Sequence, residues 1–258
     1  MAEGTGGGPA PVLLAVAHGT RDPAGPAAVR ALLARVRALR PGLRVAEAYG
    51  ELSAPSLEDA AAESAGGPVV VVPLLLARGY HALVDVPERA ARLLPGAVTA
   101  PPLGPDALLA AALAARLPID LPLRRTDTVV LGAAGSADPA GAADVRAAAR
   151  LLARRLGRPV PHGFVAAGGP ALDAVVARAR RGGAGREGAG RDGAGRDGAG
   201  RVVVASYLLA PGRFHDRMAA CGADAVAPPI GAHPAAARLV LRRYDEARVR
   251  LEAAAAVR

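Results

Sequence analysis

The chain has 258 residues, enough to bury the core of one large domain or of two of about 120 residues each. Its formal charge is +9, and all 32 basic residues are arginine, a bias that travels with abundant alanine, glycine and proline. Aromatic residues make up 2% of the chain, which excludes the stacking platforms of single-stranded nucleic-acid binding. One cysteine, Cys221, excludes an internal disulfide and any multi-cysteine zinc site, and suits a reducing compartment. The N-terminal residues lack the basic and apolar regions of a signal peptide. The longest apolar run, 69–77, is too short to span a bilayer as a helix. The expectation is a cytoplasmic protein with no nucleic-acid or membrane partner.

In chain order, residues 1–10 are glycine-rich and expected to be disordered. A strand over 12–17 leads into His18-Gly19-Thr20-Arg21-Asp22-Pro23. A helix over 24–39 places Val29, Leu32, Leu33, Val36 and Leu39 on one face, and Pro41-Gly42 stops it. A strand over 43–49 precedes Pro55 and a helix over 56–64. The strand over 69–76 then runs into Ala77-Arg78-Gly79-Tyr80-His81. Asp85 is placed to cap a helix that has Pro87 in its first turn. Strands alternating with helices predict a parallel α/β sheet.

The second half repeats this plan. Residues 17–25 align with 133–141, and 45–57 align with 160–172, so that Tyr49 meets Phe164 and Pro55 meets Pro170. Residues 74–81 align with 207–215 with one extra position. Pro55 to His81 spans 26 positions and Pro170 to His215 spans 45; the surplus of 19 is the length of residues 182–200. That stretch repeats Gly-Ala-Gly-Arg and is expected to be a flexible insertion. The predicted fold is therefore two duplicated flavodoxin-like α/β halves, 11–120 and 125–250, each a parallel sheet flanked by helices, with a cleft between them.

Comparing the halves separates scaffold from chemistry. Gly19, Asp22 and Pro23 recur as Gly135, Asp138 and Pro139, whereas His18 becomes Ala134 and Glu51 becomes Ala166; His81 recurs as His215. The first half thus carries His18, Glu51 and His81, each beyond the carboxyl end of a predicted strand, where open parallel sheets bind ligands. Two imidazoles and a carboxylate suit a borderline divalent ion and leave coordination positions open. His215 is either a further contact in the same cleft or a remnant of duplication. His162 and His233 read as surface or loop residues, and Cys221 as a small packed one.

The His18-Gly19-Thr20-Arg21-Asp22-Pro23 turn, Glu51 ahead of Pro55-Ser56-Leu57, and the run from Leu74 to His81 that leads to Asp85-Val86-Pro87 together resemble the sirohydrochlorin chelatases. These are the class II chelatases that insert cobalt or iron in corrinoid and sirohaem synthesis, and the resemblance is to their long two-repeat form. It implies insertion of Co²⁺ or Fe²⁺ (or Ni²⁺) into sirohydrochlorin without ATP. It also implies that His18 and His81 hold the metal and help remove the pyrrole protons, with Glu51 an accessory ligand or proton acceptor. Gly50 departs from the bulkier residue that usually precedes that acid. The sequence has no Walker-type phosphate loop, in keeping with a reaction that needs no nucleotide. The substrate's carboxylates point to Arg21, Arg78 and Arg213 as partners, since the guanidinium fork matches a carboxylate. A duplicated chain holds both halves of what a shorter relative assembles as a dimer, which predicts a monomer. The competing reading is a non-catalytic carrier that delivers metal or tetrapyrrole to a partner enzyme.

Overall fold

The computed structural model describes residues 10–117, 123–184 and 200–256. The first sheet forms around β1 (Val12–Ala17), whose six residues are all buried. A parallel strand covered on both faces has no solvent side, so its sequence is unbroken Val, Leu and Ala. Strand β2 (Val45–Tyr49) pairs with β1 from Leu13 opposite Val45, and β3 (Val69–Pro73) pairs on the other side from Val12 opposite Val69. The short β4 (Val98–Thr99) closes the order β2-β1-β3-β4, all parallel. The second sheet repeats it as β6-β5-β7-β8, from β5 (Thr128–Ala133), β6 (His162–Phe164), β7 (Val202–Tyr207) and β8 (Ala225–Val226). Isolated bridges pair Tyr49 with Ser56 and Phe164 with Ala171, the same positions in each repeat. The duplicated α/β architecture read from the sequence is the observed one.

Helix α1 (Ala24–Leu39) buries Val29, Leu32, Leu33 and Val36 in the main apolar core, and burial of each such side chain stabilises by about 1.5–3 kcal/mol. It begins on a loop that occurs twice. Thr20 Oγ1 accepts from Asp22 N–H and Asp22 Oδ1 from Ala24 N–H, as Ser136 does from Asp138 and Asp138 from Ala140 at the start of α5 (Pro139–Leu156). Helix α2 (Leu57–Ser64) starts with a capping box between Ser56 and Asp59. Helices α3 (Val86–Leu93), α6 (Leu172–Ala184) and α7 (Arg213–Ala219) complete the outer layers.

The last helix of each repeat is exchanged. Helix α4 (Ala107–Arg116) packs on α5 and β7 of the second sheet, and α8 (Pro234–Ala256) packs on α1, β3 and β4 of the first. The Tyr244 hydroxyl donates to Pro11 O at 2.7 Å, and the Arg40 fork grips Asp245. One apolar core therefore runs through both sheets, with two smaller clusters under the outer helices.

Three expected boundaries differ. The strand expected over 69–76 ends at Pro73, after which the chain leaves the sheet. Asp85 does not cap a helix: the chain already winds through one π turn, His81–Asp85, before α3, and the Asp85 carboxylate goes to side chains instead. Residues 182–184 of the expected insertion close α6, while 185–199, and 1–9 of the expected N-terminal tail, lie outside the described residues. Among the described residues, no helix is long and apolar enough to cross a membrane.

Candidate metal-binding cleft

The carboxyl ends of β1 and β3 face those of β5 and β7 across a cavity of about 700 Å³ lined by residues of both halves. That volume is within the usual range for a small-molecule site. His18 enters it directly from β1, and His81 enters from the first position of the π turn. The two imidazole rings lie 4.7 Å apart between centroids, with their planes at 47°.

His18 directly follows β1, and its position is fixed by what comes next. Gly19 has φ +95°, and a Cβ there would sit 1.8 Å from Glu51 O, so only glycine admits this approach. The Glu51 N–H donates to His18 O at 2.9 Å and the Gly50 N–H to Ala17 O at 2.9 Å, which ties the loop after β2 to the end of β1. His18 itself is open to the cleft. Burial still lowers its pKa from 6.5, His81 lowers it further, and Glu51 and Asp85 pull weakly the other way. Its imidazole is therefore neutral at pH 7, with a lone pair to offer.

His81 is held from behind. Its Nδ1 lies 3.2 Å from Asp85 Oδ2. Arg89 Nη1 stands 3.6 Å from the same carboxylate and donates to Gly50 O at 3.0 Å, while Nε and Nη2 fork onto Glu58. The Tyr80 ring meets His81 edge-on at 5.6 Å.

The other expected site residues divide. Glu51 is exposed, and among the described residues no three His, Cys, Asp or Glu side chains gather closely enough to cage an ion. The structure thus unites the two imidazoles and leaves the carboxylate outside that pair. Arg213 and His215 line the cleft from α7; His215 Nε2 is 3.3 Å from Ala227 O, so that nitrogen is already engaged. Arg21 is exposed and is not among the residues lining the cavity. Arg78 borders it, but its guanidinium is committed elsewhere: with its own backbone N–H it grips Asp144 of α5 at 2.8–3.2 Å, and Asp144 is buried. That pairing steadies the loop ahead of His81 through Arg78 N, Nε and Nη2.

Several residues were not singled out as site residues in the sequence. Asp144 and Tyr207, whose hydroxyl donates to Leu76 O at 2.7 Å, hold the segment before His81 from the opposite half. Leu52 (φ +60°), Tyr80 and Phe214 present exposed apolar surface at the cavity, where a flat apolar ligand would find contacts. The one signal available for Asp85 was its place four residues after His81, where Ala219 follows His215.

Comparison with known proteins agrees with this fold. Residues 12–119 match the family model CbiX. A comparison with curated proteins finds no match. Among solved structures, SirB from Bacillus subtilis with Fe³⁺ is 24% identical with a TM-score of 0.76, over 95% of this chain and 98% of that one. The sirohydrochlorin chelatase SirB from Bacillus subtilis subspecies spizizenii in complex with cobalt is 24% identical with a TM-score of 0.71, over 95% and 97%. A multi-domain Deinococcus radiodurans protein with structural similarity to chelatases is 23% identical with a TM-score of 0.68, over 93% of this chain and 56% of that one.

Proposed function

Proceeding from a chain whose residues 12–119 match the CbiX family model and whose described residues share the fold of solved chelatase structures, we propose that this protein inserts Co²⁺ or Fe²⁺ into sirohydrochlorin without a nucleotide. The observation that carries the reading is the pair of imidazoles 4.7 Å apart in a cavity of about 700 Å³. Two imidazole ligands, without a closed cage of three among the described residues, hold a divalent ion and still leave positions for the pyrrole nitrogens. Ligand type suits either ion.

The reaction exchanges two N–H protons of the macrocycle for one M²⁺. The ion passes from His18 and His81 to the ring nitrogens, and the imidazoles it leaves are free to accept the displaced protons. Glu51, exposed beside His18, offers a route for those protons to solvent. The apolar surface of Leu52, Tyr80 and Phe214 supports the flat face of the macrocycle, while Arg213 at the cleft meets its carboxylates.

The test is to follow the absorption of sirohydrochlorin with catalytic amounts of protein and each metal. Multiple-turnover acceleration over the uncatalysed reaction supports the proposal. No acceleration with any divalent metal overturns it, and tight stoichiometric binding without turnover replaces it with a carrier.

A further inference from the structure

We propose that Asp85 is the positioning residue that fixes which nitrogen of His81 meets the metal. This rests on the reading that His81 is a ligand in the cleft. The inference begins with the bond itself. A carboxylate only accepts, so in the 3.2 Å contact between His81 Nδ1 and Asp85 Oδ2 the proton belongs to Nδ1. The lone pair is then left on Nε2, and the ring cannot turn without breaking the bond. A metal-ligating histidine is ordinarily oriented through its second nitrogen in this way.

Two further features support it. Residues His81–Asp85 form a π turn, closed by Val86 N–H donating to His81 O, and such turns recur at functional sites. Asp85 is in turn held by Arg89, which also donates to Gly50 O beside Glu51. The orientation of His81 is thereby coupled to the loop that lies against His18.

The second half supplies an internal control. His215 stands where His81 stands, but the residue four positions on is Ala219, and the turn there is an ordinary helix, α7. Without the carboxylate, His215 makes the opposite bond: its Nε2 faces Ala227 O, an acceptor, so Nε2 carries the proton. The repeat that lost the counterparts of His18 and Glu51 also lost the counterpart of Asp85.

The experiment uses the metal-free full chain with ¹⁵N-labelled histidine. Ring ¹⁵N shifts report which nitrogen of His81 is protonated, and a structural role alone would not move them. The wild type is expected to show the Nδ1–H form for His81 and the Nε2–H form for His215. Asp85→Ala is expected to move His81 toward the Nε2–H form. It is also expected to weaken binding of CoCl₂, read from the visible cobalt bands, by roughly 10- to 100-fold. Wild-type His81 protonated on Nε2 overturns the proposal without any variant. So does a folded Asp85→Ala protein that keeps the Nδ1–H form or binds cobalt as tightly as wild type. Absence of chelatase turnover in the wild type, with these shifts as expected, would sink the proposed function and leave this inference standing.

Discussion

His18→Ala puts into the first half the residue that the second half already carries at Ala134, after a strand of the same kind, so alanine is known to fit this turn. His18 is open to the cleft, and among the described residues its ring makes no hydrogen bond. The stability cost at pH 7.5 is therefore expected to lie within about 0.5 kcal/mol. The chemical cost is much larger. A positioned proton-transfer group contributes about 10²- to 10⁴-fold in rate, or about 3–5 kcal/mol of barrier, and in the proposed reaction the same group is also one of two metal ligands. The acid side gives a second, opposite sign. The folded-state pKa of His18 lies below 6.5, so below pH 6.5 the unfolded chain binds more protons, and wild-type stability falls as pH drops toward the folded value. Removing His18 removes that penalty, and the variant is expected to lose less stability than wild type between pH 7.5 and 5.5. Turnover of sirohydrochlorin and denaturant melts at the two pH values measure both effects. A folded His18→Ala protein with turnover within about threefold of wild type refutes the reasoning.

Gly19→Ala forces a side chain into φ +95° and a Cβ to 1.8 Å from Glu51 O; since a backbone oxygen cannot swing away, a loss of about 2 kcal/mol or more and a displaced loop over 50–53 are expected in melts and in turnover. Wild-type stability and activity together would count against the close approach. Asp144→Ala releases Arg78 and its backbone N–H, so hydrogen exchange over residues 78–81 is expected to speed up and cobalt affinity to drop, with little change at His18; unchanged exchange would show that the clamp holds nothing. Asp127 is buried just ahead of β5. Burial would raise its pKa, but Arg201 and the backbone N–H groups of Arg124 and Arg201 hold it at about 2. Its contribution is complete above pH 3.8 and is lost as pH falls toward 2. Asp127→Ala is expected to cost about 1–3 kcal/mol at neutral pH and to flatten the melting profile across that acid window.

Where a segment's fate depends on its own pattern, the sequence was readable. The unbroken apolar run of β1 and the Pro41-Gly42 stop after α1 set both elements where they are found, because nothing distant competes for them. Where a distant partner decides, it was not. Leu74, Leu75 and Leu76 read as strand, yet they line the cavity, and Leu76 O is taken by the Tyr207 hydroxyl from the other half. Asp85 followed by Pro87 has the look of a helix start, but His81 and Arg89 claim its carboxylate. That Arg78 is paired could not be read from its neighbours, because the partner Asp144 lies 66 positions away in α5. The exchange of α4 and α8 was invisible in principle: an amphipathic pattern states that a helix has a face to bury, not which sheet receives it. The meeting of His18 and His81 was legible because both follow the carboxyl ends of parallel strands, which puts their loops at one sheet edge.

Alignment of the two repeats explains why a half without counterparts of His18 and Glu51 is retained. Each half rests the loop after its third strand on the start of the other half's first helix: Arg78 O lies so close to Gly141 that a Cβ there would be 2.5 Å away, and Pro211 O approaches Gly25 in the mirror contact. The polar locks of these contacts are one-sided. Asp144, which grips Arg78, has Ala28 as its counterpart, and Tyr207, which grips Leu76 O, has Leu74. So the first half holds His18, His81 and Asp85, and the second holds the clamps that steady the segment carrying His81. Two identical halves would each need both sets at the same positions, where Asp144 would have to coexist with Ala28 and Tyr207 with Leu74. A covalent duplication removes that conflict, since each copy then specialises without altering the other. The exchanged helices α4 and α8 keep the two copies in the register on which the clamp depends.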